Sequence, residues 1–183
     1  ITLSLDYAVT LGWIESNPAS KVDIPKLHTK EIVRLDVDEV ALLLDEVEGG
    51  QSLTKSQKIY HEKTKVRDLA IMTLLLGTGI RVSECVGLDI LDIDFKNNGI
   101  KIQRKGGNET MIYFGDEVCE ALELYLEERN PIVTMSSHEN ALFLSMQKRR
   151  LSVKSVENLV KKYSKTVTTV KNITPHKLRS TYG

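Results

Sequence analysis

A long apolar segment followed by a glycine turn constrains the fold of this chain more than any other feature. Residues 69–76 are almost continuously apolar, which predicts a helix that starts near Thr64 and is buried on all sides. The turn Gly77-Thr78-Gly79 ends that helix, and residues 82–88 have the pattern of a short new helix. Arg81 therefore stands at a helix start, where backbone amides and the helix dipole also favour an anion.

The far end of the sequence has a second helix start of the same kind. Thr174 is a typical N-cap residue and Pro175 a typical first helical residue. His176 and Arg179 follow three residues apart, so they share one helix face. A histidine can hydrogen-bond a phosphoryl oxygen and exchange protons near neutral pH. Two helix starts that each carry an arginine indicate one phosphate held from two sides, although His-x-x-Arg alone is equally an ordinary surface pair.

The other charged candidates have structural alternatives as well. Glu84 follows Arg81 by three residues, so the two can form a salt bridge on one helix turn. The same carboxylate can also orient the guanidinium toward a phosphate. Lys105 precedes Gly106-Gly107 in a predicted hairpin turn and is most simply a solvated charge. A desolvated lysine at that tip can instead donate a proton to a leaving oxygen.

The rest of the pattern predicts a mainly α-helical protein with one small three-stranded antiparallel β-sheet, an α+β fold. Asp36 and Glu39 form a capping box ahead of an amphipathic helix that ends at Gly49-Gly50. Residues 51–63 are polar and are predicted to be a loop. Alternating apolar residues predict three strands, and helical periodicity returns after them. The predicted strands cover residues 90–95, 99–104 and 110–114, and the later helices cover residues 118–129 and 153–163.

A domain boundary is predicted near residue 30. Residues 1–13 have a helical pattern, and residues 19–34, which include Pro25, read as a linker. No apolar run is long enough to cross a membrane. The two cysteines, Cys85 and Cys119, form no disulfide framework or metal motif, so we expect a reducing, cytoplasmic location.

The charge is balanced overall but uneven along the chain. Residues 1–95 carry 10 lysines and arginines against 16 aspartates and glutamates, whereas residues 96–183 carry 15 against 9. Within residues 147–183 the count is 10 basic to 1 acidic. A polarised protein of this kind can bind a polyanion on one face, although a solvated basic surface gives the same count. The candidate phosphate contacts in this basic segment are Lys148, Arg149, Arg150, Lys161 and Lys162.

Three motifs in this order resemble the phage-integrase family, the tyrosine recombinases. Residues 77–84 resemble the family's first-arginine motif, residues 104–109 its β-hairpin lysine motif, and residues 176–182 its His-x-x-Arg motif. The resemblance implies the catalytic-domain fold of that family for residues 31–183. It also implies that residues 1–30 are the last helix of a core-binding domain and its linker.

The family resemblance implies a chemistry for four residues. Arg81 and Arg179 would clamp the non-bridging oxygens of a DNA phosphodiester, and His176 would assist by a proton or hydrogen bond. Lys105 would protonate the leaving 5′ oxygen. A tyrosine would attack the phosphorus and form a 3′-phosphotyrosyl link. The implied partners are double-stranded DNA and, for the full-length parent, further copies in a synaptic tetramer. No metal and no other cofactor is implied, and no membrane.

The nucleophile is the point at which this sequence departs from the family pattern. The family's nucleophilic tyrosine lies downstream of His-x-x-Arg, and neither Tyr163 nor Tyr182 stands in its place. The chain begins at Ile1 and stops at Gly183, so we expect a fragment with an incomplete catalytic domain that cannot cleave DNA alone. The alternative function is a non-catalytic DNA-binding protein that retains the recombinase fold. A type IB topoisomerase shares the chemistry, but the N-terminal segment and compact motif spacing weigh against it.

Overall fold

The structure is a computed structural model that describes residues 2–22, 34–104, 107–168, 171 and 173–182. The chain divides into two compact units, residues 1–31 and residues 32–183. In the first unit, helix α1 spans Thr2–Thr10 and a short 3-10 helix spans Pro18–Lys21. The helix predicted for residues 1–13 ends early because Gly12 adopts a left-handed conformation, with φ of +72°.

The second unit is mainly helical and contains one three-stranded antiparallel sheet, so the predicted fold class is confirmed. A 3-10 helix at Ile90–Asp92 precedes the sheet. The helices and strands are α2 (Val37–Gly49), α3 (Lys55–Thr78), α4 (Val82–Gly87), β1 (Ile93–Asp94), β2 (Gly99–Gln103), β3 (Glu109–Tyr113), α5 (Asp116–Arg129), α6 (Val153–Val167) and α7 (Pro175–Tyr182).

Helix α3 is the centre of this unit and is longer than predicted. Its second half is buried as expected, with Ile71, Met72 and Leu74 fully inaccessible to solvent. The loop predicted for residues 51–63 is correct only for residues 51–54, because α3 starts at Lys55. Thr54 and Gln57 form a capping box there, in which Gln57 Oε1 accepts from the Thr54 N–H at 3.0 Å. Residues 55–60 are all exposed, so the polarity of this first part of the helix reflects exposure rather than a loop.

The sheet has the order β1-β2-β3, with Ile93 opposite Ile100 and Ile100 opposite Ile112. Along β2, Ile100 and Ile102 point into the core and the intervening side chains face solvent. The first predicted strand is only partly correct. The Asp92 carboxylate accepts from the Asp89 N–H at 2.8 Å and stabilises a 3-10 turn, which shortens β1 to two residues.

The helices of the second unit pack around α3. Helices α2, α5 and α7 contact α3, and α6 packs on α2 and α4. The buried surface of α7 is supplied by Leu178, and that of α6 by residues such as Val156 and Tyr163. Helices α4 and α7 are thereby both attached to α3, which fixes where their N-terminal ends lie. Among the described helices, none is long and apolar enough to cross a membrane.

Candidate functional site

The turn between α3 and α4 directs Arg81 away from the core. Gly79 has φ of +59°, and its N–H donates to the Leu75 carbonyl at 3.1 Å, which ends α3. Gly77 lies against α5, where a Cβ atom would stand 2.5 Å from Val118 Cγ2. Ile80 is buried, so the chain leaves the core at the next residue. The glycines thus allow a tight reversal that exposes Arg81 at the start of α4.

Glu84 holds Arg81 at two points. Its Oε2 accepts from the Arg81 backbone N–H at 2.7 Å, and its Oε1 accepts from Arg81 Nη1 at 2.8 Å. The Glu84 side chain is 7% exposed and that of Arg81 is 57% exposed. The carboxylate is therefore a buried support, and the outer part of the guanidinium faces solvent. The salt bridge predicted from the sequence is present, and it leaves further N–H groups of the arginine directed outward.

Helix α7 presents His176 and Arg179 on its outer side. Thr174 supplies the first helical acceptor, since its carbonyl accepts from the Lys177 N–H at 2.9 Å. Leu178 is fully buried and anchors the helix, whereas His176 is exposed and Arg179 is half-buried. The predicted start of this helix at Pro175 is confirmed.

The starts of α4 and α7 meet at one cavity of about 300 Å³. Three of the four predicted site residues, Arg81, His176 and Arg179, line it together. No carboxylate is found among the described residues of the lining, so the cavity is bounded by cationic and neutral groups. The complete lining is Ile80, Arg81, Val82, Ser83, Pro175, His176 and Arg179.

A second cavity, of about 280 Å³, lies between α4 and the β2–β3 hairpin. Ser83 and Glu84 line it from α4, and Gln103 and Glu109 line it from the ends of the two strands. The C-terminal end of β2 and the N-terminal end of β3 therefore lie beside α4. The fourth predicted residue, Lys105, comes after β2 in the sequence and lies outside the described residues.

A third cavity, of about 310 Å³, extends from α7 along α6. Lys154, Glu157, Asn158 and Lys161 line it from α6, and Thr174 and Pro175 line it from the α7 start. Lys154 Nζ pairs with Glu157 Oε2 at 3.2 Å, so Lys161 is the cation of this lining that has no carboxylate partner among the described residues. Lys154 and Asn158 were not among the residues predicted from the sequence, where Lys161 and Lys162 were the only polar candidates on α6. The sequence does indicate that Lys154, Asn158 and Lys161 share one face of the helix, because they recur at i, i+4 and i+7.

The five basic residues predicted to contact phosphate differ in their surroundings. Lys148, Arg149 and Lys161 are exposed. Arg150 donates to backbone carbonyls at the end of α4 and to the Asp89 carboxylate. Lys162 lies 3.3 Å from Asp68 Oδ2 and 3.9 Å from the centre of the Tyr163 ring. The last two side chains therefore have partners within the protein, and burial lowers the pKa of Lys162.

Tyr163 and Cys85 do not line the cavity between α4 and α7. Tyr163 is fully buried, and its hydroxyl donates to Asp68 Oδ2 at 3.1 Å. Burial, assisted by the Asp68 charge, raises the pKa of this phenol. Cys85 is buried inside α4, and burial raises the pKa of its thiol to about 12. Across the described part of the chain, no cluster of three or more His, Cys, Asp or Glu side chains is placed to hold a metal ion.

Comparison with known proteins gives the family. Residues 33–183 match the family model described as the phage integrase family. This match covers most of the sequence, and the chain belongs to the phage integrase family. The family resemblance drawn from the three motifs is thereby confirmed.

Curated relatives cover almost all of this chain. The tyrosine recombinase XerC of Vibrio cholerae is 30% identical over 179 residues, which are 98% of this chain and 53% of the relative. The tyrosine recombinase XerC of Thermodesulfovibrio yellowstonii is 34% identical over 180 residues, or 97% of this chain and 56% of the relative. The chain thus spans about half the length of the curated relatives it matches.

Solved structures have the same fold. The crystal structure of the XerA recombinase has a TM-score of 0.69 at 26% identity, over 87% of this chain and 50% of that chain. The Tn1549 transposon integrase, solved in complex with a circular intermediate DNA, has a TM-score of 0.62 at 24% identity. That match covers 99% of this chain and 62% of the integrase, and it supports the fold alone.

Proposed function

We propose that residues 31–183 are part of the catalytic domain of a site-specific DNA recombinase and hold one phosphodiester of duplex DNA between α4 and α7. Residues 1–30 would then be the end of a core-binding domain and its linker. The observation that carries the proposal is the shared cavity of Arg81, His176 and Arg179. Family membership and the tyrosine recombinases among the relatives support it.

The cavity suits the charge that develops when a phosphodiester is attacked. Arg81 and Arg179 are fixed cations on two separate helices, and planar guanidinium groups can each donate two hydrogen bonds to phosphate oxygens. Glu84 pre-orients Arg81 before any substrate arrives. His176 is exposed at the same cavity and can donate a hydrogen bond or exchange a proton. In this proposal Lys105 protonates the leaving 5′ oxygen.

The DNA surface proposed around the cavity follows α6. Asn158, Lys161 and the Lys154–Glu157 pair border the α7 start, so a duplex whose phosphate enters the cavity would pass along this face, with Lys161 as its main cation. Lys148 and Arg149 are exposed and are proposed as further backbone contacts. The remaining two predicted contacts, Arg150 and Lys162, reach phosphate only by giving up partners within the protein.

The attacking tyrosine is proposed to come from outside these 183 residues. Among the described residues that line the cavity there is no tyrosine, and Tyr163 is buried against Asp68. These residues alone should therefore bind DNA without forming a covalent adduct. We expect the longer protein to act on DNA in the cytoplasm, as an assembly of several copies on two recombining sites.

The test compares the 183-residue chain with a longer parent protein that includes the segment after residue 183. Both are incubated with a nicked duplex that carries the parent's target site, and covalent protein–DNA adducts are separated on a denaturing gel. The parent should form an adduct through a tyrosine, and the 183-residue chain should form none. Arg81→Ala or Arg179→Ala in the parent should slow adduct formation by roughly 10²–10³-fold, as for loss of one transition-state donor.

Three results would contradict the proposal. Adduct formation that is unaffected by Arg81→Ala and Arg179→Ala would show that these two arginines do not hold the phosphate. A parent that binds its target but forms no adduct would favour the alternative, a DNA-binding protein with the recombinase fold. An adduct formed by the 183-residue chain itself, mapped to Tyr182 by mass spectrometry, would show that the nucleophile is inside these residues.

A further inference from the structure

The C-terminal end of α4 is held by a single side chain from a distant part of the sequence. Arg150 Nη1 lies 3.1, 2.9 and 2.8 Å from the carbonyl oxygens of Val86, Gly87 and Leu88. Its Nη2 donates to the Asp89 carboxylate. The last carbonyls of a helix lack partners within the helix, and a cation at that end also complements the helix dipole. Arg150 therefore caps α4.

The backbone around Arg150 fixes this cap in place. Residues 142–144 and 149–151 pair with each other, since the Leu151 N–H donates to the Phe143 carbonyl at 2.9 Å. The same segment is attached to the exit of α4, because the Leu142 N–H donates to the Leu88 carbonyl at 3.0 Å. The guanidinium is thus presented from a rigid support, and its side chain is only 30% exposed.

Helix α4 is short enough for its two ends to move together. It has six residues, Val82 to Gly87, so its ends are about 9 Å apart at 1.5 Å per residue. Arg81 and Glu84 lie at the N-terminal end. A helix of fewer than two turns has few hydrogen bonds of its own, and its position depends on what holds each end.

We infer that Arg150 is a positioning residue, which sets the location of α4 and through it the Arg81 guanidinium at the cavity. This inference rests on the proposed function, in which Arg81 grips phosphate. In this inference Arg150 does not contact phosphate itself and affects DNA binding only through the position of Arg81. The two roles make different demands on the side chain. A phosphate contact needs a positive charge, whereas the cap needs a planar fork that reaches three carbonyls and a carboxylate at once.

Arg150→Lys separates the two roles because it keeps the charge and loses the fork. Binding of a 30-base-pair duplex is followed by fluorescence anisotropy across salt, in the wild-type and the Arg81→Ala backgrounds. If Arg150 acts through Arg81, Arg150→Lys weakens binding about tenfold in the wild-type background, as expected for one lost charge-assisted hydrogen bond. The loss largely disappears in the Arg81→Ala background, since the two residues then act on one interaction. Arg149→Ala is the control and should be additive with Arg81→Ala.

A second readout needs no DNA. The backbone amide signals of Arg81 and Glu84 in ¹⁵N–¹H spectra should shift in Arg150→Lys and stay unchanged in Arg149→Ala. The inference is overturned if these signals do not move. It is also overturned if Arg150→Lys binds like wild type while Arg150→Ala lowers the salt slope by about one in both backgrounds, as a direct phosphate contact would. If instead the wild type does not bind DNA, the proposed function fails, and the amide signals still decide the positioning role.

Discussion

At the scale of single residues, Asp68 shows how a buried charge links two helices. Its side chain is 2% exposed, and Oδ1 accepts from Arg67 Nη2 at 2.6 Å. Its Oδ2 accepts from Thr64 and Tyr163 hydroxyls, each at 3.1 Å, and lies 3.3 Å from Lys162 Nζ. Because Tyr163 and Lys162 belong to α6 and the others to α3, one carboxylate connects the two helices. Its partners satisfy a charge that would otherwise be unfavourable in the core.

Removing this carboxylate should strongly destabilise the protein. Asp68→Ala leaves the half-buried Arg67 and Lys162 without their anion, and breaking a buried ion pair in this way lowers the free energy of unfolding by about 3–5 kcal/mol. Urea denaturation measures the change. Glu62→Ala is the control, because Glu62 is 65% exposed and solvent screens its contacts with Lys65 and the His61 ring, so its effect should stay within about 0.5 kcal/mol. Equal effects of the two variants would contradict the role given to Asp68.

At the scale of elements, the start of α2 is tied to the loop that leads into α7. Lys171 Nζ lies 2.6 Å from Glu39 Oε2 and 3.4 Å from Asp36 Oδ2. The Leu35 N–H also donates to Thr181 Oγ1 of α7 at 3.1 Å. The Lys171 hydrogen bond is the main cause that lowers the pKa of Glu39, and Glu39 in turn raises the pKa of Lys171. This tie holds the helix that carries His176 and Arg179.

The ion pair between Lys171 and Glu39 should make a pH-dependent contribution to the free energy of unfolding. Since the folded pKa of Glu39 is lowered, its contribution is present above the ordinary glutamate pKa of about 4.3 and disappears as the pH falls below it. The raised pKa of Lys171 keeps the contribution present up to about pH 10. Lys171→Met should therefore reduce the free energy of unfolding at pH 7 and have a smaller effect at pH 3. A difference between wild type and variant that is the same at both pH values would contradict this.

The sequence predicted some elements well and others poorly, for physical reasons. The start of α7 and the end of α2 depend on local chemistry, Pro175 at one and Gly50 in a left-handed conformation at the other. The start of α3 was missed because an exposed helix turn and a loop are both polar, and only the Thr54 cap distinguishes them. The 3-10 turn before β1 depends on one side-chain hydrogen bond from Asp92, which alternation cannot indicate.

The candidate site could be predicted only in part. Each helix start was visible in the sequence, but their meeting depends on α7 packing against α3, more than 90 residues earlier, which no local pattern encodes. The order of the motifs, through the family resemblance, supplied that link. The role of Arg150, by contrast, could not be predicted from the sequence. Its position in a basic segment predicts a surface cation, whereas its contacts with α4 come from tertiary structure alone.

At the scale of the whole molecule, the excess of positive charge in the C-terminal part of the sequence is partly neutralised by ion pairs in the folded protein. Three cations of the basic segment 147–183 pair with carboxylates from the acidic part of the chain. These pairs are Arg150 with Asp89, Lys162 with Asp68, and Lys171 with Glu39. The remaining exposed cations near α6 and α7 are therefore fewer than the composition indicates. Binding of DNA should depend on a limited set of phosphate contacts, in which the arginine pair at the cavity has a large share.

The most direct test of a phosphate held between α4 and α7 is the salt dependence of duplex binding by wild type and by Arg81→Ala/Arg179→Ala. The wild type should bind, and the double variant should bind at least tenfold more weakly at 0.1 M salt, with a salt slope smaller by about two. Lys55→Ala/Lys58→Ala removes the same charge from the exposed start of α3 and should change both quantities less. If the arginine variant binds as tightly as wild type, or no more weakly than the lysine control, the two helix starts do not hold a phosphate.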